Sequence, residues 1–172
     1  MDRRTLLVLT TAALTCTGLV LAASHAPAQQ KSLKDQLAGA WTLAAIDQTD
    51  AQGNKVQLFG PNPRGTQVLD ASGQWIQIIW NPDVAKFKVD SRIKGTPEEN
   101  TAAVHATTAT FGTWTIDEAT KTLTIKYTGS MFPNQVGSDS KRAVSVSGDE
   151  LRVSNPRTAS GMKSDTVWRR AK

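Results

Sequence analysis

One arginine and one tyrosine carry the chemistry this sequence can be read to hold. In "KRAVSVSGDELRV", residues 141–153, alternate positions are apolar, and Arg142 falls on the same alternation as Val144 and Val146. In "TLTIKYT", residues 122–128, Leu123, Ile125 and Tyr127 share a face opposite Thr122, Thr124, Lys126 and Thr128. A guanidinium on an apolar face is costly unless it is paired, and no acid occupies an evident partner position. Its planar fork suits a carboxylate, and a tyrosine hydroxyl beside it adds a further donor. The spacing therefore points to anion binding by Arg142 and Tyr127, with Trp114, Ile125 and Val144 as apolar neighbours. The alternative is an Arg142 at a rim, reaching water or a lid carboxylate.

Other chemistry is weakly represented. His105 is an isolated histidine with no ligand spacing around it, so a metal centre is not expected. Glu98 and Glu99 follow "TP" at 96–97 and read as first-turn partners of a helix rather than an acid–base pair. No nucleophile elbow or phosphate-cradling loop occurs, so no catalytic residue and no cofactor is assigned.

The residues must be positioned by strands. Runs rich in Thr, Val, Ile and Trp alternate with turn clusters, which predicts strands over 40–48, 64–70, 74–80, 106–116, 121–128, 141–147, 150–155 and 164–170. Residues 31–38 suit one helical turn. The long connection after 74–80 predicts a short helix near 97–104, started by Thr96, Pro97 and Glu99. Opposed residues in a hairpin have a constant number sum. The "SGDE" turn pairs Val146 with Leu151, and the "DEAT" turn pairs Ile116 with Leu123, Trp114 with Ile125 and Gly112 with Tyr127. Pairing Leu123 with Val146 would set Tyr127 opposite Arg142. Both faces of "QWIQIIW" are partly apolar, so either Trp75 or Trp80 could point inward.

Eight meandering strands avoid exposed edges by closing. Closure places Trp41 of "GAW" beside "VWRRA", where Arg169 or Arg170 can stack on the indole while Gly39 lets the chain turn beneath. The series "LAGAWTL", "GPNPRGTQVLDASGQW", "GTPEEN", "FGTWTID", "GSMFPN", "KRAVSVSGDELRVSNP" and "VWRRAK" resembles the bacterial lipocalin-like domain proteins of the calycin group over nearly all of 37–171. The resemblance implies an eight-stranded antiparallel up-and-down barrel with a short helix between the third and fourth strands. It also implies one end sealed by Gly39, Trp41, Trp168, Arg169 and Arg170. A histidine common in that group before "GSMFPN" and a tryptophan after its Pro-Asn are replaced here by Ile125, Lys126 and Gln135, so no ligand role is carried over from them.

The amino-terminal 28 residues read differently. Arg3 and Arg4, an apolar run and "APA" at 26–28 predict a secretory signal peptide, leaving 29–172 as one barrel domain. Cleavage would remove Cys16, His25, two arginines and one aspartate, taking the formal charge from +5 to +4. The mature chain would have no disulfide or thiol chemistry. A modest positive charge in an exported chain does not argue for nucleic acid. The expectation is a periplasmic or secreted protein with no stable membrane anchor, binding a small hydrophobic or amphiphilic molecule that could be anionic. The alternatives are a cofactor-free isomerase or cyclase, or a barrel with a filled core.

Overall fold

The computed structural model describes residues 31–172; the expected signal segment, with Cys16 and His25, lies outside the described residues. Strands β1 (Gly39–Thr49), β2 (Lys55–Val56), β3 (Arg64–Leu69), β4 (Gln74–Trp80), β5 (Thr107–Asp117), β6 (Thr122–Ser130), β7 (Asp139–Ser147), β8 (Glu150–Asn155) and β9 (Lys163–Arg170) form one antiparallel sheet. Their order is β2-β1-β3-β4-β5-β6-β7-β8-β9, and β1 also pairs with β9. Eight strands thus close a barrel, and β2 merely extends β1 through Gln48↔Val56 and Thr49↔Lys55. Two residues are too few to show periodicity, which is why β2 was not expected. Its presence makes the strands flanking the helix the fourth and fifth rather than the third and fourth.

That helix, α2 (Pro97–His105), starts as its sequence requires. Thr96 Oγ1 accepts from Glu99 N, and Glu99 Oε2 accepts from Thr96 N. The other carboxylate oxygen accepts from Lys88 N at 2.9 Å, which ties the preceding loop to the helix. A second short helix, α1 (Leu33–Leu37), is capped by Ser32 and lies before β1.

The meander registers keep the apolar alternation on one face. Val144↔Val153, Ile116↔Leu123 and Trp114↔Ile125 pair as the alternation requires. The β6–β7 pair differs: Leu123 faces Arg142, not Val146, and Ile125 faces Ser140. The slip is of even length, so every inward residue stays inward. Alternation specifies the face alone. The connection from Met131 to Ser138 is too long for its turn to dictate register, and it contains a 3-10 turn at Pro133–Gln135.

The strand of ambiguous face is resolved by Trp75, which is buried, whereas Trp80 is substantially exposed. Trp75 fits because its partner across the β4–β5 ladder is Gly112. A Cβ at Gly112 would fall 1.9 Å from Lys126 O, and the β5 ladder bulges between Phe111 and Gly112. The missing side chain leaves Trp75 and Tyr127, which flank Gly112, in edge contact with centroids 5.8 Å apart.

Four of the five tryptophans fill the closed lower half of the barrel: Trp41, Trp75, Trp114 and Trp168. Trp41 lies at the floor. Its Nε1 donates to Leu37 O, and the Arg170 guanidinium lies 4.2 Å from its ring centroid. Arg170 also donates to Gln36 O at 2.7 Å and Ala38 O at 3.1 Å, joining α1 and the start of β1 to the last strand. Gly39, at φ 134, brings the backbone so close that an added Cβ would lie 2.9 Å from Arg170 Nη1. Of the two arginines that could reach Trp41, alternation turns Arg169 to the outside, where it pairs with Glu150 at 2.8 Å. Trp168 sits one layer above the floor, fully buried, with Nε1 donating to Thr166 Oγ1.

Candidate functional site in the upper barrel

Above the tryptophans the interior opens into a cavity of about 280 Å³. Its wall mixes apolar Ile79, Leu58 and Phe59 with polar Gln48, Gln77 and Thr110, and its rim comes from Val104, Met131 and Phe132. Arg142 and Tyr127 occupy its lower boundary.

Arg142 reaches that position from below. Its backbone stands opposite Leu123, and its side chain runs up the inner wall past Ser140, two residues along the same face. Nε donates to Ser140 Oγ at 3.2 Å, Nη1 to Gln77 Oε1 at 3.3 Å and Nη2 to Tyr127 Oη at 2.6 Å. The Trp75 ring lies beneath the guanidinium, 5.2 Å from centroid to Cζ. Arg142 and Tyr127 therefore meet, as the shared face requires, but through side-chain length rather than as a cross-strand pair.

Every partner of this guanidinium is neutral. Arg142 is 6% exposed, and among the described residues the ion pairs involve Arg152, Lys163, Arg169 and Arg170 only. A buried cation held by three neutral oxygens and an indole face is solvated in part but not neutralised. Tyr127 Oη accepts from Arg142, so its own O–H remains free to donate upward. Nearby, Gln67 faces Gln77 across β3–β4. Its Oε1 is 3.5 Å from Trp75 Nε1, and its buried Nε2 has no hydrogen-bond partner. The base of the cavity is thus rich in donors and lacks negative charge.

Trp114, Ile125 and Val144, expected beside the arginine, are buried in the packed half and do not line the cavity. Trp114 Nε1 donates to Asp70 O, near the floor. They share the inner face with Arg142 but lie deeper in the barrel, because alternation says nothing about depth along it. Gln77 was not foreseen; once Trp75 is turned inward, alternation carries Gln77 and Ile79 with it. His105 is solvent-exposed at the rim, at the end of α2. Glu98 and Glu99 lie in the first turn of that helix, and backbone N–H donors hold both carboxyls below the usual range. Among the described residues no cluster of three metal-ligating side chains occurs.

On the outer wall, β1 pairs with β3 only from Gly39 to Thr42. Beyond that point a cleft of about 710 Å³ separates them, flanked by the Gly60–Gly65 connection. Phe59, Ile46 and Gln48 line both spaces, so this side chain wall is what divides cleft from cavity.

The closed eight-stranded meander agrees with the comparison of sequence families, in which the lipocalin-like domain matches residues 38–171. The chain belongs to the lipocalin-like domain family. Among solved structures, the chain is similar to a lipocalin-like protein from Bacteroides uniformis ATCC 8492, at 14% identity and a TM-score of 0.43, covering 79% of this chain and 99% of that one. An uncharacterized protein from Bacteroides eggerthii DSM 20697 is similar at 11% identity and a TM-score of 0.39, covering 78% and 99% respectively. No curated protein matches. Within this lipocalin-like chain, the cavity, Arg142 and Tyr127 are the features from which a function can be argued.

Proposed function

We propose that this lipocalin-like protein is an exported carrier of one small amphiphile with an acidic head group. The head lies against Arg142 and Tyr127, and the apolar part rises between Ile79, Leu58 and Phe59. The observation that carries this reading is the buried arginine without a carboxylate partner. A bound anion would supply the missing charge through a charge-assisted hydrogen bond, and the free Tyr127 O–H would add a second. The cavity is near the lower end of the ~300–1,000 Å³ usual for ligand sites, which favours a small molecule. Export is supported by the charged start, apolar run and "APA" of residues 1–28.

Calorimetric titration with a medium-chain or aromatic acid and with the matching alcohol tests the reading. Arg142→Met exchanges the buried charge for an apolar chain of similar length and is expected to keep the fold. It should weaken acid binding about tenfold or more, since a charged hydrogen bond contributes roughly 1.5–3 kcal/mol. The alcohol should bind both proteins alike. Equal losses for acid and alcohol, or no acid binding by the wild type, would reject the proposal.

A further inference from the structure

The two ends of the barrel differ in what they show to solvent. Of the eleven large apolar residues exposed among the described residues, five lie on the outer face of β3 to β5, and six lie at the open end: Val89, Ile93, Met131, Phe132 and Val136 in the connections and Val104 near the end of α2. None of the exposed large apolar residues lies in the turns at the floor, where Trp41 and Arg170 close the barrel. Ile93 is 87% exposed, on a 3-10 turn, Arg92–Lys94. Single apolar residues at the surface need no explanation, but a set concentrated at one end marks an interaction surface.

The same loop is basic. Residues 84–94, "VAKFKVDSRIK", carry Lys86, Lys88, Arg92 and Lys94 against Asp90 alone. The other acids of the 81–106 connection, Asp83, Glu98 and Glu99, bring it to formal neutrality but stand at its two ends, beside β4 and in the first turn of α2, so the four cations are gathered in 86–94. Along 86–89 and 92–94 apolar and cationic residues alternate in the chain, as Lys86-Phe87-Lys88-Val89 and Arg92-Ile93-Lys94. A protein partner would be recognised by a contiguous patch. Scattered apolar tips with long cationic stems between them suit a surface that apolar groups can enter while lysine and arginine heads stay among phosphates.

From this arrangement we infer that the open end of the barrel docks reversibly on a lipid bilayer containing anionic head groups, with Val89 and Ile93 entering the interface and Lys86, Lys88, Arg92 and Lys94 contacting phosphates. Docking in this orientation sets the cavity mouth, between Val104, Met131 and Phe132, against the bilayer surface. Basic residues close to such a surface each add an attraction that salt screens.

Vesicle flotation of residues 29–172, the exported form under the proposed function, tests this, so that the apolar run of residues 1–28 cannot float every variant alike. Vesicles of phosphatidylcholine alone are compared with vesicles carrying about 30% phosphatidylglycerol. The wild type should float with the anionic vesicles at low salt, and the excess over phosphatidylcholine should vanish near ~0.5 M salt. Val89→Asp/Ile93→Asp and Lys86→Gln/Lys88→Gln should each lower the partition coefficient at least about tenfold. All four positions are exposed, so far-UV circular dichroism should be unchanged. Ile76→Asp, on the exposed side of the barrel wall, should float like the wild type. Equal flotation of wild type and Val89→Asp/Ile93→Asp would overturn the inference. So would a monomer–dimer equilibrium, seen by sedimentation, that this double variant abolishes while leaving flotation intact. Arg142→Met should float normally, so loss of acid binding and loss of docking are separable results.

Discussion

Gly112 shows how one missing side chain arranges the site. Its neighbours across the two ladders are Trp75 and Tyr127, and these support Arg142 from below and from the side. Gly112→Ala would drive a methyl group into Lys126 O, a backbone atom that cannot move without breaking the β5–β6 ladder. Overpacking of this kind costs about 1–3 kcal/mol or more. Chemical denaturation should show the loss, and acid binding should weaken as well because Tyr127 is displaced. At the floor, Trp41→Ala removes a fully buried indole along with its bond to Leu37 O and its stack on Arg170. Replacing a buried tryptophan by alanine costs about 3–5 kcal/mol. A change in unfolding free energy below about 1 kcal/mol would mean that the indole is not buried, since surface substitutions behave that way. Arg169→Ala, on the outer wall with Glu150, should stay within about 1 kcal/mol because exposed ion pairs contribute little.

At the scale of elements, α2 carries a pH dependence whose direction follows from its cap. Backbone N–H groups of Lys88 and Thr96 donate to the Glu99 carboxylate and hold its pKa below the ordinary 4.5. A carboxyl depressed by folding stabilises the folded form fully above its unfolded value. That contribution disappears as pH falls through the lower folded value. Amide resonances of Lys88 and Thr96 should therefore hold steady at neutral pH and shift together below about pH 4.5. In Glu99→Gln the transition should be absent. The β6–β7 pair is the element where local signals ran out. Its alternation places Arg142 and Tyr127 on the inner face, where both are buried. The opposed partner, Leu123, emerged only from how the Met131–Ser138 connection folds back on Tyr127, through Tyr127 N to Ser138 O and Gly137 N to Tyr127 O.

The whole molecule is closed by β1 against β9, a pairing that joins the first strand of the barrel to the last. One core runs through the barrel, so the described residues should unfold in one step. Tryptophan fluorescence, dominated by the four buried indoles of the lower half, and far-UV circular dichroism, which reports the ladders, should give coincident denaturant midpoints. Separate midpoints would mean that the upper and lower halves are independent units.

Legible along the chain alone are the eight barrel strands, though not the two-residue β2, together with the helix start at Thr96–Glu99, the inward face of β5 to β8 and the meeting of Trp41 with the carboxy-terminal arginines. These depend on alternation, capping and closure, which are local rules or a single topological consequence. The sequence also places Arg142 on an apolar face, because a charge breaks an alternation visibly. Which of Trp75 and Trp80 points inward follows from packing, since it depends on the space left by Gly112 across the ladder. The same holds for the choice of Arg170 over Arg169, for the height at which the tryptophans stop and the cavity begins, and for Gln77 as a partner of Arg142. A period of two reports the face of each residue but not its depth. Depth in a closed barrel is set by how side chains from strands distant in sequence share one interior volume.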